Sequence, residues 1–339
     1  MNTYMNIREI SEEKEFKNLS PFATKSRLSK GRQFPEAQCD IRTVFQRDRD
    51  RIIHSKAFRR LKDKTQVFLA AQGDHYRTRL THTLEVSQTA RTIAKALGLN
   101  EDLVEAIALG HDLGHTPFGH AGEAALDEVC PTGFAHYKQS VRVVDLLEKG
   151  GRGLNLSWEV RDGILNHRTS GTPHTLEGQV VRLCDKISYI HHDMDDAERA
   201  GIFSEDDIPI TLRVKMGDSC KERLSTMVHD IIRNSYGKDK VTMSSEMEES
   251  MLMLRELMFA NVYRNPIAKT EEEKAKRMLQ DMYSYYITKP NAMSREYREL
   301  IDRGEALEQV VCDYISGMTD QYSMVKYKEL FIPTGWAVY

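Results

Sequence analysis

The sequence predicts an all-α protein, and three observations carry that prediction. Apolar residues recur at spacings of three and four with almost no two-residue alternation, 9 prolines are spread over 339 residues, and 40% hydrophobic residues supply a core. The first 35 to 40 residues show no clear period and contain Pro21, Gly31 and Pro35. Residues 1–40 are therefore expected to form an arm that packs late or onto a neighbouring subunit. From Thr81 to Leu97, the residues His82, Val86, Ala90, Ile93 and Leu97 fall on one stripe, with Glu85, Gln88, Arg91 and Lys95 outside it. That pattern predicts a helix with His82 facing inward. Asn100 is placed to cap the next helix, whose apolar side carries Leu103, Val104, Ile107, Ala108 and His111 and where Gly110 permits close packing. A third helix is predicted from Gln139 to Leu147, a loop over Gly150 to Ser157, a fourth helix from Trp158 to Asn166 and a long fifth from Leu176 to Ala200. Thr172-Pro173 and the run from Ser204 to Pro209 punctuate the second half, and Ser235 to Lys240 reads as an exposed link. The expected organisation is an arm (1–40), a helical core (41–205) and a C-terminal helical region packed on that core (206–339).

Lys and Arg number 48 and Asp and Glu 51, a net charge of −3, which excludes a protein that coats nucleic acid with its whole surface. Between Lys25 and Lys64, however, thirteen Lys or Arg stand against five Asp or Glu. This segment is expected to meet an anion, unless its arginines are simply paired with Asp48, Asp50 and Asp63. The 5 cysteines lie far apart with no CxxC pair, so neither a disulfide framework nor a thiolate zinc site is indicated. A reducing cytoplasm fits that usage. The first residues are acidic where a secretory signal would be apolar, and no run approaches about 18 apolar residues, so secretion and membrane spanning are both disfavoured.

Six of the 12 histidines (His75, His82, His111, His115, His120, His136) fall within about sixty residues, and two of them sit on buried helix faces. A single buried histidine is usually a satisfied core residue. Here His111 and Asp112 are adjacent at a helix end and can turn toward a common point, His82 can supply another nitrogen, and Asp185 sits among Val181, Cys184, Ile187 and Ser188, where an unpaired carboxylate is costly. A cation removes that cost. Two imidazoles with two carboxylates suit Mn²⁺, Fe²⁺, Co²⁺, Ni²⁺, Zn²⁺ or Mg²⁺ without distinguishing among them. Asp185, Tyr189 and Asp193 are spaced by four and project from nearly one face.

The order His82, His111-Asp112, Asp185 resembles the H…HD…D signature of the HD-domain metal phosphohydrolases. Within that superfamily, HDLGHTPFGHAGE (His111 to Glu123) is similar to the signature of the deoxynucleoside triphosphate triphosphohydrolases, the dGTPase-like branch. The stretches Phe45 to Phe68, Arg77 to Val86, Ala135 to Ser140 and Arg182 to Ala197 agree with it in kind and order, and FANVYRN (Phe259 to Asn265) is the one familiar stretch beyond residue 205.

The resemblance implies an HD-type helical core in which His82, His111, Asp112 and Asp185 hold one divalent metal ion. It implies catalytic roles for His115, for His120 with Glu123, and for His136, the last either protonating the leaving 5′ oxygen or steadying the phosphates. It implies phosphate contacts from Arg79 and Lys186, a sugar or base contact from Gln66, deoxyribose packing on Tyr189 and a 3′-hydroxyl contact to Asp193. The substrate is then a deoxynucleoside triphosphate, cleaved to deoxynucleoside and tripolyphosphate by a homo-oligomer. On this reading the basic segment meets the triphosphate, or else a nucleotide effector or single-stranded nucleic acid. The competing readings are an HD phosphohydrolase of another nucleotide and a nucleotide- or nucleic-acid-binding regulatory protein. Tyr137 and Cys184 depart from the residues common at those positions, and neither departure removes a ligand.

Overall fold

The computed structural model describes residues 6–66, 77–263 and 266–335, so His75 and Phe68 of the sequence reading lie outside the described residues, as do the last two residues of FANVYRN. Among the described residues the fold is all-α, with two isolated β-bridges, Arg32 to Ser157 and Thr65 to Thr78. The first part comprises α1 (Ile7–Asn18), α2 (Val44–Ile53), α3 (Lys56–Arg60), α4 (Arg79–Leu97), α5 (Glu101–Gly110), α6 (Gly119–Val129), α7 (His136–Arg142), the kinked turn α8 (Glu148–Gly151), α9 (Trp158–Asn166) and α10 (Leu176–Arg199). The second comprises α11 (Ile210–Met216), α12 (Cys220–Ser235), α13 (Ser245–Met258), α14 (Pro266–Thr288), α15 (Arg295–Asp302), α16 (Leu307–Ser316) and α17 (Asp320–Phe331).

Local chemistry accounts for the boundaries that matter. Thr78 caps α4, Gly98 ends it with φ of 66°, and Asn100 caps α5 by accepting from the Leu103 amide. The stripe from His82 to Leu97 is buried throughout, as is the predicted face of α5. The third helix begins at His136, three residues before the predicted start, and passes into a π-turn over Val143–Leu147.

The helix α4 packs on α5 and α10, α2 on α5, and α9 on α5, α7 and α10. One apolar core, including Val86, Ile107, Val160 and Ile187, extends to Ile231 and Met251 of α12 and α13. A second, including Leu126, Leu279, Met282 and Ile315, joins α6 to α14 and α16. The loop from His111 to Phe118 joins them: Leu113 belongs to the first core and Phe118 to the second.

The described part of the arm, from residue 6, packs along the helical core. The Ser20 amide donates to the Gly98 carbonyl (2.7 Å), the Thr24 amide to Glu177 (2.9 Å) and the Lys30 amide to Glu159 (2.7 Å), while Glu15 of α1 accepts from the Ser26 amide and Asn100. Its anchors are the buried carboxylates Glu159 and Glu177 and the half-buried Glu15 rather than an apolar stripe, and hydrophobic periodicity does not register them.

Two glycines set the closeness of the site elements. A Cβ on Gly110 would stand 2.6 Å from Ile164 Cδ1, and one on Gly114 would stand 2.1 Å from the Ser140 amide nitrogen, inside the backbone of α7. Gly114→Ala is therefore expected to push α7 off the loop and to destabilise the protein by about 1–3 kcal/mol. Thermal and denaturant melts read this directly, and a variant as stable as the wild type would contradict the packing.

Candidate active site

The helix α4 delivers His82, the C-terminus of α5 delivers His111 and Asp112, and α10 delivers Asp185, so three segments distant in sequence bring four side chains together. His82 Nε2 stands 3.2 Å from Asp185 Oδ1. His111 Nε2 lies 3.4 Å from Asp112 Oδ1 and 3.6 Å from Asp185 Oδ1. Its other nitrogen, Nδ1, donates to the Ala108 carbonyl (2.6 Å), which aims Nε2 at the two carboxylates. That Nε2 is buried and completes no hydrogen bond. An orphaned imidazole nitrogen beside two aspartates, with a second imidazole opposite, is a donor set that fits a divalent cation.

The electrostatics agree. Burial opposes ionisation of Asp112, yet His111, His115 and Arg79 outweigh it and hold the carboxyl well below the usual range; Asp185 is likewise held low by His111 and His82 against burial. Burial also opposes protonation of His111, but Asp112 and Asp185 raise it to about 9.

A second group of side chains adjoins the first. His136 donates from Nδ1 and from its backbone amide to Glu123 (2.9 and 2.8 Å). His115 stacks on His136 with centroids 4.1 Å apart. His120, whose side chain is 85% exposed, places Nδ1 3.6 Å from Glu123, so Glu123 is shared by the two histidines with the shorter contact to His136. Burial opposes the Glu123 charge, and His120 and His136 together hold it below the usual carboxylate range. Burial, then Arg79 and His136, pushes His115 well below its ordinary value.

The loop that carries these groups is clamped from several directions. Ser140 donates to the His111 carbonyl (2.7 Å) and accepts from the Gly114 amide (2.9 Å). The buried Lys64 ammonium donates to the carbonyls of His115 and Ser316, and Asp320 accepts from the amides of Phe118 (3.0 Å) and Thr65 (2.9 Å). These contacts hold Phe118 in the left-handed region, φ 61°, a conformation that an aromatic residue adopts only under tertiary constraint.

Of the expected substrate contacts, Arg79 is buried and donates to Asp112 Oδ2 (2.8 Å). Gln66 is half-buried, and its backbone carbonyl and Arg79 Nη2 both lie beside Gly119. Along α10, Lys186 and Tyr189 are half-buried and Asp193 is buried. Burial raises Tyr189 to about 12, with Arg255 of α13 beside it.

Within the basic segment Arg32 pairs with Asp48, Arg42 with Asp50, Arg51 with Glu36 and Arg49 with Glu105, so several of its arginines have carboxylate partners. The cleft it lines, about 330 Å³, is bounded by Arg42, Arg47, Arg51, His54 and Lys149 together with Asp50 and Glu148, and contains none of the expected site residues. Tyr137 accepts from Arg168 (2.9 Å), which also stacks over its ring. The five cysteines are free, and burial pushes the Cys184 thiol up, as suits a small apolar residue.

Sequence reasoning passed over three residues. His167, at the end of α9, places Nε2 3.2 Å from His136 Nε2. His192 places Nδ1 3.5 Å from His82 Nδ1 and Nε2 3.0 Å from Glu85, backing the inward imidazole from behind. Its position seven residues after Asp185 puts it on the same helical face, a signal that was legible. Arg255 had no such signal, because only tertiary packing brings α13 to α10.

A helical core in which H…HD…D side chains converge around a site for a cation defines an HD-type phosphohydrolase. The HD domain family profile matches residues 79–190, and that of the phosphohydrolase-associated domain matches residues 241–329. The chain is 58% identical over 332 residues to the deoxyguanosinetriphosphate triphosphohydrolase-like protein of Caldanaerobacter subterraneus subsp. tengcongensis, covering 98% of each chain. It is 49% identical to the protein of that description in Desulfatibacillum aliphaticivorans, covering 97% of this chain and 99% of the relative. A crystal structure of a phosphohydrolase from Bacteroides thetaiotaomicron shares the fold, with TM-score 0.52 and 16% identity over 83% of this chain and 69% of that one. The chain belongs to the dGTPase-like family of HD-domain hydrolases. No helix among the described residues is long and apolar enough to cross a membrane.

Two outcomes follow from this geometry. Because His111 holds a proton up to about pH 9 in the cation-free site, Mn²⁺ binding near pH 7.5 is expected to release it, and apparent affinity should fall as pH falls. Calorimetry in buffers of different ionisation enthalpy measures the proton count, and zero release would contradict the assignment. Replacing His192 with Ala removes the support behind His82 and should weaken Mn²⁺ binding by about 10–100-fold, with the melting curve as the control for folding.

Proposed function

We propose that this protein hydrolyses a deoxynucleoside triphosphate at its α-phosphate, releasing deoxynucleoside and tripolyphosphate. The observation that carries the reading is the orphaned Nε2 of His111, aimed between Asp112 and Asp185 with His82 opposite. These four residues would hold one divalent ion, which supplies Lewis-acid polarisation of a phosphate oxygen and a water of lowered pKa.

The chain's own groups do the rest. Asp112 and Asp185 provide the negative charge, and Arg79 fixes Asp112 through Oδ2 so that Oδ1 keeps its direction. His115, His120 and Glu123 with His136 form the proton-handling side of the site, where Glu123 sets the His136 tautomer by accepting from Nδ1. Lys186 and Arg79 supply positive charge for the phosphates, and Gln66 a sugar or base contact. Tyr189 packs against the deoxyribose and Asp193 accepts from its 3′-hydroxyl. Homo-oligomeric assembly and a cytoplasmic location belong to the same reading. The cleft of Arg42, Arg47, Arg51, His54 and Lys149 supports a second phosphate-bearing occupant, a nucleotide effector before single-stranded nucleic acid.

The test is product analysis with metal-free protein, each divalent ion added back, and the four deoxynucleoside triphosphates given singly and in mixtures. Tripolyphosphate and deoxynucleoside are expected, and activity seen only in mixtures would reveal the effector. Diphosphate with monophosphate, or orthophosphate alone, would falsify the cleavage position, and turnover of another nucleotide alone would favour a different HD phosphohydrolase. Asp185→Ala should lower turnover by at least roughly 10²–10³-fold, the scale of losing one preorganised electrostatic group, whereas a binding module would show no turnover to lose.

A further inference from the structure

Tyr137, which departs from the residue common at its position, takes no part in the proton-handling group, yet it supports a charge beside it. The helices α7 and α9 meet at His136 and His167, whose Nε2 atoms lie 3.2 Å apart. The residue after each continues the contact outward. Arg168 donates from Nη1 to the Tyr137 hydroxyl (2.9 Å), and its guanidinium carbon lies 4.4 Å from the centre of that ring. Tyr137 in turn stands edge-on to His136, with 5.9 Å between centroids. Arg168 is exposed, but one hydrogen bond and one ring face fix where its charge sits.

A second arginine reaches the same corner. Arg182 of α10 donates from Nη1 to the carbonyl of Thr169 (3.2 Å), the residue after Arg168, while its Nε is buried and completes no hydrogen bond. Among the described residues neither arginine pairs with a carboxylate, unlike Arg32, Arg42, Arg49 and Arg51 of the basic segment. Arg182 also stands near enough to Lys186 for the two charges to oppose each other. Guanidiniums held in place with no acid between them suit an anion.

Position along α10 selects the anion. Asp193, Tyr189 and Asp185 follow one face of the helix, and on the hydrolytic reading the first two meet the sugar and the third lies at the α-phosphate. The substrate then runs toward the N-terminus of α10. Three residues further in that direction, about 4.5 Å along the axis, the same face carries Arg182. Thr169 and Arg168 lie beyond it. The β- and γ-phosphates extend away from the sugar and so toward this pair.

We propose that Arg168, supported by Tyr137, and Arg182 receive the terminal phosphates of the substrate and set its requirement for a triphosphate. This deepens the triphosphohydrolase reading and rests on it for the direction in which the substrate lies. Tyr137 is a positioning residue: its hydroxyl and ring hold the guanidinium that makes the contact.

The experiment is equilibrium dialysis of full-length protein with Mn²⁺ in excess and two labelled probes. Inorganic tripolyphosphate reports the tail, and deoxyguanosine monophosphate reports the sugar and first phosphate. Arg168→Gln and Arg182→Gln are each expected to bind tripolyphosphate about 10–100-fold more weakly, the worth of one charge-assisted contact, and to hold the monophosphate within about twofold of the wild type. Tyr137→Leu should shift the two affinities as Arg168→Gln does, and Tyr137→Phe, which keeps the ring, should lose less. An equal loss for both probes would mean a merely structural change and would overturn the proposal, as would a loss for neither, or a wild type that does not bind tripolyphosphate. Arg168 is exposed, so its variant decides the matter even where Arg182→Gln does not fold. Release of tripolyphosphate from a deoxynucleoside triphosphate, with unaltered tripolyphosphate affinity in the variants, would defeat this assignment and leave the hydrolytic reading standing. Selective loss in the variants without hydrolysis of any deoxynucleoside triphosphate would do the reverse.

Discussion

An ionised Asp112 inside the protein would cost several kcal/mol if left alone, and much of the surrounding architecture can be traced to meeting that cost. Arg79 binds one oxygen, and the imidazoles of His82, His111 and His115 surround the other, so the charge is retained although the side chain is only 4% exposed. Those partners come from α4, from the end of α5 and from the loop after it, which must approach one another closely. Gly110 and Gly114 permit that approach, and Ser140 of α7 fastens the loop by accepting and donating at once.

The C-terminal region serves the same centre from the other side. Asp320 holds the amides of Phe118 and Thr65, and the Ser316 carbonyl shares the Lys64 ammonium with that of His115. A buried lysine satisfied by carbonyl oxygens is tolerable only where the backbone around it is rigid, and here it ties the two apolar cores together across the site loop. Few family stretches are legible in the sequence after residue 205, yet the phosphohydrolase-associated profile matches residues 241–329 and this region contributes directly to the placement of the histidines.

Composition counts charges without saying which of them are paired. The excess of Lys and Arg between Lys25 and Lys64 invites an anion, but Asp48, Asp50 and Glu36 accept from several of its arginines, Asp102 and Glu105 flank Arg49, and Arg27 reaches Glu12 of α1. The segment's excess charge survives in a cleft that contains none of the catalytic candidates, while the cation at the centre is Arg79, a single residue that a local count does not distinguish.

Helical period, caps and glycine positions are properties of neighbouring residues, and so α4, α5, α9 and α10 could be read from the chain with little error, together with the inward direction of His82 and His111. The spacing of Asp185, Tyr189 and Asp193 belongs to the same class. Glu123 shows the limit: its offset of three from His120 is a local fact, but its shorter contact is to His136, thirteen residues on, because the turn before α7 brings that imidazole closer. His167, Arg255 and Asp320 reach the centre by packing between elements far apart in sequence, and no pattern along one helix encodes such a meeting. Short-range geometry therefore supplied the ligands one by one. Their convergence, and the face-to-face imidazoles of His136 and His167, arise from long-range contacts that exist only once the chain has folded.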